Sequence, residues 1–169
     1  MNTYKGYKAV VPISAYPFHL GHVDLYFRAE RVFGFEKALL LLCNNSAKTY
    51  PAYDRMEYFK ERQKDFKVAY YDGLVCDFCN MHGINFIVRG CRSGVEYEYE
   101  KQLSDFNSRA AMYLQTLIVP ADAKVAHISS TVVREYLKYG KLQNAVDICP
   151  DGMRPYLIKL MKHLQGGSK

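Results

Sequence analysis

Five short apolar runs, each followed by a stretch with helical spacing, constrain this chain more than any other feature. They are YKAVVPI (7–13), KALLLL (37–42), KVAYY (67–71), INFIV (84–88) and QTLIV (115–119). Each is too short to be a stable helix, and each is apolar throughout rather than alternating with polar residues. Strands of that kind are buried on both faces, as in a parallel sheet covered by helices. The intervening stretches predict helices over 22–33, 53–66, 74–83, 98–114, 129–140 and 153–164. Gly83 and Gly140 stop two of them. The expected class is α/β: a doubly wound, parallel, five-stranded sheet with helices on both faces. No repeat or linker interrupts the pattern, so one domain is expected over 1–164, with 165–169 (QGGSK) a disordered tail.

Open sheets of this kind bind ligands beyond the carboxyl ends of their strands, where the strand order reverses. Three loops are placed to do so, at 13–22, 89–95 and 127–131. The net charge of +6 bears on which ligand. It suits nucleic acid, an anionic membrane or a polyphosphate. The basic residues are scattered rather than run together, which argues against tracking a nucleic-acid backbone. No apolar run reaches the ~20 residues needed to span a bilayer. The first residues do not read as an export signal, and the five cysteines are odd in number. Reduced thiols and a cytoplasmic location are expected.

The first loop carries His19-Leu20-Gly21-His22 at the mouth of a helix. Unpaired amides and the helix dipole attract phosphate there. Gly21 removes a Cβ that would hold a phosphate off the backbone, and His22 can donate to charge developing on a phosphate oxygen. Two ordinary surface histidines are the plainer alternative. The second loop holds Arg89 and Arg92 around Gly90 and Cys91; two guanidiniums at a strand end can clamp phosphates, or form a solvated basic turn. In the third, Ser129 or Ser130 caps a helix, which is either an ordinary cap or a triphosphate cradle. Cys76, Cys79 and His82 fall three apart on one helix. A structural zinc site needs four ligands, usually as two pairs, and no second pair follows, so buried helix cysteines and no metal site are expected. Glu100, in the acidic EYEYEKQ stretch, suits a helix start and can accept from a ribose hydroxyl.

In order and at these separations, GLVCDF (73–78), VRGCRSGVEYEYEKQLSDFN (88–107) and ISSTVVRE (128–135) resemble the phosphopantetheine adenylyltransferase family of the HxGH nucleotidyltransferase superfamily. The resemblance runs from about residue 8 to residue 160. It implies a Rossmann-like fold, a homo-oligomer that is hexameric, and transfer of AMP from ATP to 4′-phosphopantetheine with Mg²⁺. The products are dephospho-coenzyme A and pyrophosphate. By position, Ser14 would touch both substrates and His22 would stabilise the transition state. Lys48, Val75 and Arg89 would bind phosphopantetheine. Ala15, Gly90, Cys91, Arg92, Glu100 and Val125, Ala126, His127, Ile128, Ser129, Ser130 and Thr131 would hold ATP. The loop PISAYPFHLGH departs from the family's PGTFDPxTxGH. Ile13 stands for glycine, Ser14 for threonine, Ala15 for phenylalanine, Tyr16 for aspartate and His19 for threonine. His19 restores the HxGH form of nicotinamide and nicotinate mononucleotide adenylyltransferases, which is the alternative activity. A non-catalytic nucleotide-binding relative is a further one.

Overall fold

In the computed structural model, which describes residues 4–44, 52–62 and 64–166, the apolar runs assemble into one sheet. Its strands are β1 (Ala9–Ile13), β2 (Ala38–Cys43), β3 (Val68–Tyr71), β4 (Phe86–Cys91) and β5 (Gln115–Pro120), all parallel, in the order β3-β2-β1-β4-β5. The seven helices of the described residues are α1 (Leu20–Phe33), α2 (Ala52–Lys60), α3 (Val75–His82), α4 (Gly94–Ala110), α5 (Ser130–Lys138), α6 (Leu142–Asp147) and α7 (Arg154–Gly166). None of them is long and apolar enough to cross a membrane.

The continuous apolar runs are explained by burial on both faces. Val10, Leu39, Leu41, Ala69 and Ile87 face a core shared with Cys76, Phe78 and Cys79 of α3. Their neighbours Ala9, Val11, Leu40, Leu42 and Val88 face a larger core with Tyr26 of α1, Phe59 of α2, Val133 and Leu137 of α5, and Leu157 of α7. Leu39 to Leu42 are each at most 1% exposed. Side chains of that size contribute about 1.5–3 kcal/mol each when fully buried. The strand order reverses between β1 and β4, so a crevice opens beyond the carboxyl ends of those two strands.

Several boundaries differ from the sequence expectation, each for a packing reason. The helix expected over 53–66 ends at Lys60, because the chain turns through Arg62 to bring Phe66 against Phe18, Tyr26 and Phe59. The helix expected over 98–114 begins at Gly94, capped by the Ser93 hydroxyl accepting from the Glu96 amide at 3.2 Å. It ends at Ala110, which lets Ala111 and Leu114 turn into the α3-side core. The fourth strand is shifted from 84–88 to Phe86–Cys91, so Arg89, Gly90 and Cys91 pair with Ile118, Val119 and Pro120 instead of forming a loop. The final helix passes Leu164, and Gln165 donates from its amide to the Leu137 carbonyl at 3.1 Å. The tail expected at 165–169 is therefore helical through Gly166, and 167–169 lie outside the described residues. The short α6 carries too little periodicity to stand out, with Ala145 its one buried residue.

Candidate active site

β1 delivers the loop Ser14–His19 to the crevice, and α1 starts from it. His19 is the N-cap of α1: its Nδ1 accepts from the Gly21 amide at 3.1 Å. The His19 amide in turn donates to His22 Nδ1 at 3.3 Å, and the two rings stack with centroids 3.7 Å apart. Each imidazole thus uses Nδ1 as an acceptor. In the neutral form this leaves Nε2 to carry the proton, and both residues line the crevice. Burial, with the Arg92 charge adding to it, pushes His19 down to about 3, so its ring is neutral near pH 7.

Gly21 has a different reason from the one its motif suggests. A Cβ there would stand 3.0 Å from His19 Cε1 and 3.1 Å from Nδ1, so glycine makes room for the capping ring. Gly90 lets β4 approach α1, where a Cβ would meet Leu25 Cδ2 at 3.3 Å. Ala15 is buried at φ 45°, a left-handed conformation that an alanine adopts at some cost.

Arg89 rises from β4 into a two-pronged contact with Glu100 of α4. Its Nε donates to Oε2 at 2.6 Å and its Nη2 to Oε1 at 2.8 Å. Its Nη1 donates to the Pro12 carbonyl at 2.8 Å, tying β4 to the end of β1. Burial works against the Arg89 charge, but the hydrogen bonds and charge of Glu100 outweigh it and raise the guanidinium above its usual value. Glu100 is therefore committed to an arginine in this structure, where the sequence suggested a ribose hydroxyl. Arg92 sits two residues before α4 and pairs with Glu96 through its amide, its Nε and its Nη2, while Nη1 donates to the Ile128 carbonyl at 3.3 Å. Those hydrogen bonds hold the Glu96 carboxyl below its ordinary range.

The third loop closes the crevice. Ser129 is the N-cap of α5, its hydroxyl accepting from the Val132 amide at 3.2 Å. The Ser130 hydroxyl donates to the Pro17 carbonyl at 2.9 Å, and Arg134 donates to the Tyr16 carbonyl. The start of α5 is thereby fastened to the loop that carries the histidines.

The resulting cavity has a volume of about 620 Å³, within the usual range for small-ligand sites. It brings together Ser14, His22, Val75, Arg89, Gly90, Arg92, Glu100, Val125, Ile128, Ser129, Ser130 and Thr131 from the sequence expectation. Ala15, Cys91, Ala126 and His127 are not among the residues lining it, and Lys48 lies outside the described residues. Sequence reasoning missed Asp24 and Arg28, one and two turns into α1, and Tyr99 and Glu96 on α4. Only the helical registers of α1 and α4, counted from their caps, could have placed them. On α3, Cys76 and Cys79 point into the core, burial pushes the Cys79 thiol up to about 12, and His82 packs against Phe78 and Tyr4.

Comparison with known proteins adds four likenesses. The family model described as cytidylyltransferase-like matches residues 15–136. A phosphopantetheine adenylyltransferase of Christiangramia forsetii is 38% identical over 138 residues, covering 79% of this chain and 89% of that protein. Two solved structures share the fold at low identity. The first is Thermotoga maritima TmcAL bound with alpha-thio ATP: TM-score 0.62, 12% identity, 93% of this chain and 56% of that one. The other is Plasmodium falciparum nicotinic acid mononucleotide adenylyltransferase complexed with NaAD: TM-score 0.62, 11% identity, 89% of this chain and 94% of that one.

Proposed function

The chain belongs to the phosphopantetheine adenylyltransferases of the cytidylyltransferase-like family, and from that premise we propose that it transfers AMP from ATP to 4′-phosphopantetheine, giving dephospho-coenzyme A and pyrophosphate. The observation that carries the reading is the convergence of three loops on one crevice, where His19 and His22 each keep Nε2 as a donor.

The chemistry follows from that arrangement. ATP lies along the start of α5 and the Gly90–Arg92 segment. An oxygen of the acceptor phosphate attacks the α-phosphorus, forming a new P–O bond as the bond from the α-phosphorus to the α,β-bridging oxygen breaks. The electron pair leaves with pyrophosphate. The attacking phosphate is already anionic, so no general base is required. His22 donates to the oxygen on which charge accumulates, and catalysis is positioning plus electrostatics. Ser14, at the end of β1, lies between the two substrates. Lys48, Val75 and Arg89 serve the acceptor by the family's pattern. Magnesium enters with the triphosphate as part of the substrate: Asp24, Glu96 and Glu100 are each paired with an arginine, so the described residues of the crevice form no carboxylate cage of their own. A cytoplasmic hexamer completes the reading. Exposed Met112 and Tyr113 before the edge strand β5, with Leu117 on it, are suited to a subunit contact.

A second acceptor has one observation in its favour. His19 gives the motif the HxGH form, and the fold is shared with a nicotinic acid mononucleotide adenylyltransferase. Pyrophosphate release from ATP, measured with phosphopantetheine and with nicotinamide mononucleotide in separate reactions, distinguishes the two. Phosphopantetheine is expected to support turnover, and turnover with the mononucleotide alone would assign the second activity.

A further inference from the structure

Among the described residues four arginines line the crevice: Arg28, Arg89, Arg92 and Arg134. Three face carboxylates, namely Asp24, Glu100 and Glu96 in turn. Among the described residues Arg134 has no carboxylate partner. It donates to neutral oxygens instead, the Tyr16 carbonyl and the Thr131 hydroxyl, the latter at 3.1 Å. Its guanidinium carbon lies 4.9 Å from the centre of the Tyr16 ring. Tyr16 is 7% exposed and packs in the larger core, so the platform beneath the cation is fixed. The Ser130–Pro17 hydrogen bond holds the two segments together on either side of this contact.

An aromatic face attracts a cation without cancelling its charge, whereas a carboxylate would cancel it. We propose that Tyr16 is a positioning residue for the nucleotide: its ring and carbonyl hold Arg134 at the crevice wall as the uncompensated cation that meets the triphosphate. This rests on the crevice being the ATP site. The other three guanidiniums are balanced locally, so among the described residues Arg134 is the crevice arginine whose full charge remains for an incoming polyanion.

The test is calorimetric titration of wild type, Tyr16→Phe, Tyr16→Leu, Arg134→Met and the Tyr16→Leu/Arg134→Met double variant with ATP and with adenosine. Thermal melts of the same samples accompany it. Tyr16→Leu is expected to weaken ATP roughly 3–30-fold, the span of a partly desolvated cation–π contact. Adenosine, which has no phosphate, should change by less than about 2-fold, and Tyr16→Phe should restore ATP binding because it keeps the ring. On the Arg134→Met background Tyr16→Leu should add nothing further. Equal weakening of ATP and adenosine, or a full additional effect in the double variant, would reduce Tyr16 to a packing residue. If Tyr16→Leu does not fold, Arg134→Lys reads the same contact, since lysine keeps the charge but loses the fork. Its ATP affinity must then fall at least about 3-fold, and an unchanged affinity overturns the inference. Wild type that binds ATP while Tyr16→Leu binds it equally well sinks this inference alone. Wild type that binds no ATP sinks the crevice assignment with it.

Discussion

Removing the Glu100 carboxylate tests how the crevice is held open. Glu100→Ala would leave Arg89 with the Pro12 carbonyl in place of a two-pronged contact at 2.6 and 2.8 Å. Breaking a buried pair by deleting one partner costs about 3–5 kcal/mol, because the surviving charge stays desolvated. The Arg89 side chain is 28% exposed and can recover some hydration, so about 2–3 kcal/mol is the expected loss. For a chain of this size each kcal/mol lowers the melting temperature by about 2–4 °C. A drop of about 4–12 °C should therefore appear in a thermal melt followed by circular dichroism. The double variant Arg89→Met/Glu100→Leu carries no orphaned charge and should recover most of that loss. A drop below about 2 °C for Glu100→Ala, or a double variant as unstable as the two single changes added together, would refute the idea that this pair is a desolvated tie between β4, α4 and the end of β1.

His22→Ala should lower kcat by roughly 10²–10³-fold while ATP still binds by calorimetry, since it removes a donor used mainly in the transition state; turnover within a few-fold of wild type would remove His22 from that role. Gly21→Ala should push the His19 ring out of its cap, costing about 0.5–2 kcal/mol in chemical denaturation, and unchanged stability would show that the ring has room to move. The folded-state pKa of His19, about 3, lies below its unfolded value of about 6.5, so the unfolded chain takes up the proton first. That contribution is complete above pH 6.5 and is lost progressively as pH falls towards 3, so wild type should lose more stability over this window than His19→Asn, which cannot titrate. Elemental mass spectrometry of purified protein should find no stoichiometric zinc, and one zinc per chain lost in Cys76→Ser/Cys79→Ser would reverse the reading of α3.

The architecture was legible because burial on both faces leaves a strong mark: Leu39 to Leu42 could hardly belong to anything but a central strand. The motifs gave the three loops. What they could not give was how charges are spent. Nothing in the spacing of Arg89 and Glu100 says that they bond to each other rather than to substrates, because that depends on α4 beginning at Gly94 and not four residues later. A serine cap and a first-turn glutamate override the strand-like alternation of Tyr97 and Tyr99. Arg89 looked like a loop residue because the apolar run stops at Val88, yet parallel pairing with β5 continues through Cys91. The partnership of Tyr16 with Arg134 joins positions 118 residues apart and has no local signature at all.

The most direct measurement supplies ATP, magnesium, phosphopantetheine and nicotinamide mononucleotide together to one sample of the enzyme and identifies the adenylylated products by mass spectrometry. Dephospho-coenzyme A and pyrophosphate in equal amounts, with little dinucleotide, is the expected result. A predominance of the nicotinamide dinucleotide, or ATP binding with no adenylylated product from either acceptor, would contradict it.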